Sequence, residues 1–232
     1  MAQYLAHTVN AQLFGLGAGT VGWILTMVTI GVVQWRIWVV SDLSIISSGY
    51  AWVGLWKVCF YSHTDLASKY SSLYCQMMGV SDSFVPMEIV AARVLMLVAL
   101  VLGLLANAST LYGLRNIFFG LGKHRPIRLA FTIGGVLHLL ASVSSLVPLG
   151  LNMQAVFTNQ NISFPENFYM PSAPLQQHVG PAICMGLSGA ILTVATGVIF
   201  LFYRFPSRRI HPKGQASGTG GGHDNPAFQS EE

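Results

Sequence analysis

Four stretches of the chain stay apolar for the length of a membrane crossing, and polar segments of unequal size separate them. The first covers 11–33 without a charge, the second 89–112 with Arg93 near its start, the third 129–151 and the fourth 180–203. A hydrocarbon core takes about 20 residues of helix, so each stretch is expected to span. Around them lie an N-terminus (1–10), loops at 34–88, 113–128 and 152–179, and a tail at 204–232. Met1 to Asn10 carries no Lys or Arg. The first apolar run also exceeds the ~7–15 residues of a signal-peptide core, so it is expected to remain as a spanning helix.

The pattern changes character in 34–88. The run WRIWVVSDLSIISSGYAWVGLWKVCFY is rich in Val, Ile, Trp and Tyr and broken by Ser-Gly. That composition predicts strands joined by turns, and a loop this long carries structure of its own. A small sheet seated on the helix ends would bury one face of Trp35, Trp52 and Trp56. The same rings also suit the membrane–water boundary.

Composition sharpens the class. The 232 residues are 53% hydrophobic and 9% charged, against roughly 25% charged in a soluble domain. The net charge of +4 comes from no basic patch with interleaved aromatics, so the bilayer is the expected partner and nucleic acid is not. The cations sort by loop. Arg115, Lys123, Arg125 and Arg128 fall in or beside 113–128, and Arg204, Arg208, Arg209 and Lys213 in the tail. Loop 34–88 holds Arg36, Lys57 and Lys69, and loop 152–179 holds none. The positive-inside rule then places 113–128 and both termini in the cytoplasm, with the other two loops outside. The tail cluster also suits anionic lipid.

Cys59 and Cys75 therefore lie on the oxidising side, where a disulfide is expected, with two free thiols as the alternative. Closing a loop of about 15 residues contributes ~3 kcal/mol in the chain-entropy model. Two cysteines without a matching pair make no zinc site. Cys184, inside the fourth span, is expected to pack there. Asn161-Ile162-Ser163 is an N-glycosylation acceptor in an outer loop, whereas Asn107-Ala108-Ser109 fits the pattern inside a span. No metal cluster, nucleophile–base pair, nucleotide loop or intramembrane acid supports an enzyme or transporter, and no cofactor is expected. His138, in the third span, is expected to be packed and hydrogen-bonded. Gly15 and Gly19 allow close helix approach, within one bundle or between copies.

A Trp-x-Gly-Leu-Trp-x-x-Cys run at 52–59, followed by a second cysteine at 75 in the first outer loop of a four-span chain, resembles the claudins. Gln34-Trp35-Arg36 stands where that family carries Trp-Arg at the exit of its first helix. Trp52, Gly54, Leu55, Trp56 and Cys59 follow the family signature in order, and Cys75 takes the second cysteine's place. PMEIVAARVLM resembles the family's approach to its second helix, and IGGVLHLLASVSSLVPLGLNMQAVF its third helix with the outward extension. The likeness covers most of 11–203. It implies an α-helical membrane protein: a left-handed four-transmembrane-helix bundle bearing a small extracellular antiparallel β-sheet. Four strands would come from 34–88 and one from 152–179. Trp35, Gly54, Leu55 and Trp56 would anchor the sheet, with Arg93 at the helix mouth. The protein would oligomerise with itself and/or other claudins, laterally and across cells, at tight junctions of the plasma membrane. There it would form or modulate a paracellular barrier or channel.

The chain also departs from the family. The segment between its cysteines, FYSHTDLASKYSSLY, is longer, and Asp65 and Lys69 carry opposite charges near His63, so no ion preference follows. Asp82 stands where the family offers an apolar side chain to a lateral neighbour, leaving Phe84 as the substitute contact. Phe157-Thr158-Asn159-Gln160 keeps the Phe of the family's Phe-Tyr-Asn-Pro and loses its Tyr and Pro. The Gly/Ser-rich tail is expected to be disordered. It ends Gln229-Ser230-Glu231-Glu232, which offers no apolar terminus to a PDZ groove. These losses keep a second reading open, an auxiliary or trafficking subunit of another membrane protein. Peripheral-myelin-protein-like and channel gamma-subunit-like families share the Gly-Leu-Trp and the cysteine pair.

Overall fold

The computed structural model describes residues 2–41, 45–63, 71–118, 124–171 and 173–202. Its long helices are α1 (Ala2–Gly31), α2 (Met87–Phe118), α3 (His124–Phe157) and α4 (Pro181–Leu201). Its strands are β1 (Arg36–Val39), β2 (Tyr50–Val53), β3 (Lys57–His63), β4 (Ser71–Met77) and β5 (Gln176–Val179). Each helix contains a stretch long and apolar enough to cross a membrane, at Asn10–Gly31, Met87–Phe118, Pro126–Phe157 and Pro181–Leu201. Three helices outrun their apolar runs, whereas α4 stays within 180–203. α1 begins at Ala2 and ends at Gly31, while α2 and α3 carry on through much of 113–128. A helix satisfies its own backbone in lipid or water, so it need not stop where the hydrocarbon does.

α2 lies along α3 and α1 along α4, and contacts of α3 with α4 and α1 with α2 close the ring. Small residues set these distances. A Cβ on Gly15 would meet Ile199 and Phe200 at 3.3 Å, and one on Gly19 would meet His138 and Thr196 at 2.9 Å. Both glycines therefore serve contacts inside the bundle. Cys184 is exposed, although a packed thiol was the expectation. It sits in the first turn of α4, where Ile183 and Gly186 take the inward positions.

The five strands form one sheet in the order β4-β3-β2-β1-β5, antiparallel throughout. β1 follows the end of α1 and β5 leads into α4, so the sheet is stitched to both helices. Gly180 N–H donates to the Trp35 carbonyl at 2.9 Å, and Ala182 N–H to that of Gln34 at 3.1 Å. Any side chain at Gly180 would collide with the Gln34 carbonyl oxygen.

Strand alternation decides which side chains meet the bundle. Trp38, Ala51, Phe60 and Tyr74 stand opposite one another across β1 to β4, and the first three are buried. Residues after α3 close on this face. The Trp38 ring meets Phe164 edge-on at 5.4 Å, and Phe84 meets Phe168 at 5.1 Å. Loop 152–179 is thus bound into the sheet's own core.

Candidate functional site

The chemistry of the sheet-bearing end is concentrated where the sheet sits on the bundle. Trp35, 1% exposed, donates its indole N–H to the Thr29 carbonyl at 2.9 Å. Gly54 N–H donates to the Lys57 carbonyl at 3.0 Å and closes the β2–β3 turn. A Cβ at Gly54 would lie 2.8 Å from the Val33 Cα, so the turn rests directly on backbone just past α1. Leu55 is buried beside it.

Arg93 reaches up from α2 to this turn. Its Nε donates to the Leu55 carbonyl at 2.6 Å, Nη1 to that of Gly79 at 2.8 Å, and Nη2 to that of Met78 at 3.4 Å. Its guanidinium carbon also lies 5.3 Å from the centre of the Trp56 ring, within cation–π range. One cation thereby joins the β2–β3 turn to the segment leaving β4. The forked guanidinium spreads its donors over three nitrogens and so reaches three separated carbonyls, where a lysine would have to serve them from one atom.

Trp52 takes the opposite face. Its strand neighbours Ala51 and Val53 point inward, so Trp52 points away from the bundle. It stands opposite Cys59 and packs edge-on to Tyr61 at 5.6 Å. Cys59 faces Cys75 in register, and the two form a disulfide of 2.01 Å. Trp52 therefore flanks the disulfide instead of seating the sheet, a correction that follows from the two-residue period of a strand. Beyond the disulfide, β3 and β4 continue to pair as far as His63 and Ser71. The extra residues between the cysteines thus lengthen a hairpin. Asp65, Lys69 and the His63 side chain lie outside the described residues, as does the tail.

The structure adds a network that the sequence marked only by a loop cation. Arg36 is fully buried, its Nε and Nη2 donating to Asn152 Oδ1 at 3.2 and 2.8 Å. Nη2 also meets Glu88 Oε1 at 3.1 Å. Asn152 Nδ2 in turn donates to the carbonyls of Glu88 at 3.1 Å and Pro148 at 3.0 Å. Burial pulls the Arg36 guanidinium below its ordinary pKa, while the hydrogen bond and charge of Glu88 push it back up. The available sequence signal was positional, since each of these three polar residues borders a span.

The other expected sites are scattered. Asp82 accepts the Gly79 N–H at 2.6 Å, capping the turn before α2. Phe84 is half-buried against Phe164 and Phe168, and Phe157 is 71% exposed at the end of α3. Asn161 and Ser163 are exposed on either side of buried Ile162. Asn107, within α2, donates to the Gly103 carbonyl at 2.9 Å.

His138 is buried beside Phe200, and neither ring nitrogen has a protein hydrogen-bond partner among the described residues. Facing it are Gly19 and the Thr196 methyl, while the Thr196 hydroxyl is committed to the Leu192 and Gly15 carbonyls. Next to the ring is a cavity of about 10 Å³, room for roughly one water molecule. Among the described residues, no three His, Cys, Asp or Glu side chains gather as metal ligands would.

The model of one family matches residues 20–202, described as PMP-22/EMP/MP20/Claudin tight junction. The chain belongs to this family. Claudin-7 of Rattus norvegicus is 28% identical over 219 residues, covering 89% of this chain and 95% of that protein. Claudin-2 of Mus musculus is 24% identical over 197 residues, covering 84% and 79%. Claudin-3 of Rattus norvegicus is 24% identical over 229 residues, covering 94% and 97%. The matched region takes in all five strands, the disulfide and most of the four spanning stretches.

Proposed function

We propose that this chain is an atypical claudin, most like the divergent member designated claudin thirty-four. It acts as a structural protein of cell–cell contacts and not as an enzyme. It assembles with its own copies or with other claudins in the plasma membrane, at tight junctions, and forms or modulates the paracellular barrier. The single observation that carries this reading is the disulfide-clasped sheet held on a four-span bundle by Arg93, within a family match over 20–202. The cation-rich segment 113–128 and the tail support an orientation with both termini cytoplasmic and the sheet outside. Exposed Phe157 is the assembly contact that the geometry leaves open, while Phe84 is engaged within its own chain.

The test is mixed culture. In cells without other claudins, the protein should concentrate at borders between two expressing cells and not at borders with non-expressing neighbours. Uniform surface distribution in both settings would contradict adhesion.

A specific observation supports a second reading, an auxiliary or trafficking subunit of another membrane protein. Asp82 is occupied in capping its own turn and offers no apolar side chain to a lateral neighbour. Under that reading a different membrane protein co-purifies in fixed ratio.

A further inference from the structure

The β2–β3 turn overhangs the end of α1 and leaves a cleft of about 280 Å³, lined by Gly31, Val32, Val33, Leu55, Trp56, Lys57 and Met77. Its depth in the membrane follows from the chain. Gly31 is the last residue of the first spanning stretch, so the cleft opens where hydrocarbon gives way to headgroups. Its walls are apolar except at one point. Lys57 stands opposite Met77 at the end of the β3–β4 ladder, and Met77 is 67% exposed. Arg93, the neighbouring cation, is already committed to three carbonyls and the Trp56 ring. Among the described residues, Lys57 is therefore the cation available to a molecule in the cleft.

We infer that this cleft binds one phospholipid of the leaflet on the sheet-bearing side. An acyl chain lies against Val32, Val33 and Met77, and the phosphate lies at the Lys57 ammonium. Two independent features select this occupant. An apolar recess at headgroup depth meets lipid before it meets any other apolar molecule. A single lysine at its rim complements the phosphate that every phospholipid carries there. Trp56, on the wall, suits the same depth, where an indole can keep one edge apolar and the other polar. The inference rests on the span and the cleft and stands apart from the junctional reading.

The experiment uses the full chain in phosphatidylcholine nanodiscs containing a phosphatidylcholine with a photoactivatable diazirine on its acyl chain. Adducts are mapped by mass spectrometry after digestion. Labelling should concentrate on the segments holding Val32–Val33 and Met77, exceeding that at lipid-facing Val101 and Leu104. Met77→Trp, which narrows the opening, should lower the cleft adducts. A diacylglycerol with the same diazirine chain, lacking the phosphate, should label the cleft less than the phosphatidylcholine does, and Lys57→Gln should bring the two lipids toward equal labelling. The Cys59–Cys75 disulfide, read on a non-reducing gel, verifies that each variant is folded. Even labelling over all lipid-facing positions, or equal labelling by the two lipids, would overturn the proposal. So would a cross-link from the cleft to a second protein copy.

Discussion

Arg36 and Glu88 meet at 3.1 Å beneath the sheet, an ion pair between a fully buried guanidinium and a half-buried carboxylate that joins the first strand to the first turn of α2. Asn152 of α3 completes the junction by accepting from the same guanidinium. Removing one partner of a buried pair leaves a stranded charge and costs about 3–5 kcal/mol. Because Glu88 is partly exposed and Asn152 stays in place, Glu88→Ala should fall at the low end, about 3 kcal/mol. Thermal unfolding in detergent measures it. The double variant Arg36→Met with Glu88→Gln strands no charge and should be more stable than Glu88→Ala alone.

Arg93 makes a separate prediction, because its three carbonyl partners lie on two segments. A hydrogen bond to a charged group contributes about 1.5–3 kcal/mol. Lysine can keep the charge but not the fork, so Arg93→Lys should cost about 2 kcal/mol, and Arg93→Ala more. Limited proteolysis should cut the β2–β3 hairpin faster in both variants, with alanine the faster. Identical cleavage in the lysine variant would mean that charge alone suffices.

The disulfide is expected to matter for abundance as much as for stability. Replacing Cys59 and Cys75 together by serine should remove about 3 kcal/mol, and losses of that size lower steady-state levels several-fold. Surface biotinylation measures the change. A double serine variant at full surface abundance would show that the strand pairing holds the hairpin unaided.

The sequon gives a test of orientation. Asn161 and Ser163 are exposed at the sheet-bearing end, whereas Asn107 lies within α2. If that end is outside, glycosidase treatment should sharpen or shift the band of the wild-type chain. Asn161→Gln should abolish the shift, and Asn107→Gln should leave it unchanged.

Much of this architecture was legible in the sequence because its signals are local. An apolar run of helix length needs no partner to be recognised, and Cys59 with Cys75 needed only a compartment. Orientation within the sheet was less legible. Trp52 and Trp56 are near neighbours in the chain, yet one flanks the disulfide on the far face and the other lies under Arg93. Strand phase and the turn at Gly54 decide that, and neither is written in the composition. The junction of Arg36, Glu88 and Asn152 was hidden for a different reason. Its members lie in three separate parts of the chain, and only tertiary packing brings them within hydrogen-bond distance. His138 shows a limit of general expectation. Buried polar groups are hydrogen-bonded as a rule, but the helices facing this ring present a glycine and a methyl group.

Assembly is the central claim, and freeze-fracture electron microscopy tests it most directly. The chain is expressed alone in cells that lack other claudins, and contacts between expressing cells are replicated. The account predicts continuous strands at those contacts. Protein that reaches the surface with its disulfide formed, yet leaves no strands, would contradict autonomous assembly and favour the auxiliary-subunit reading.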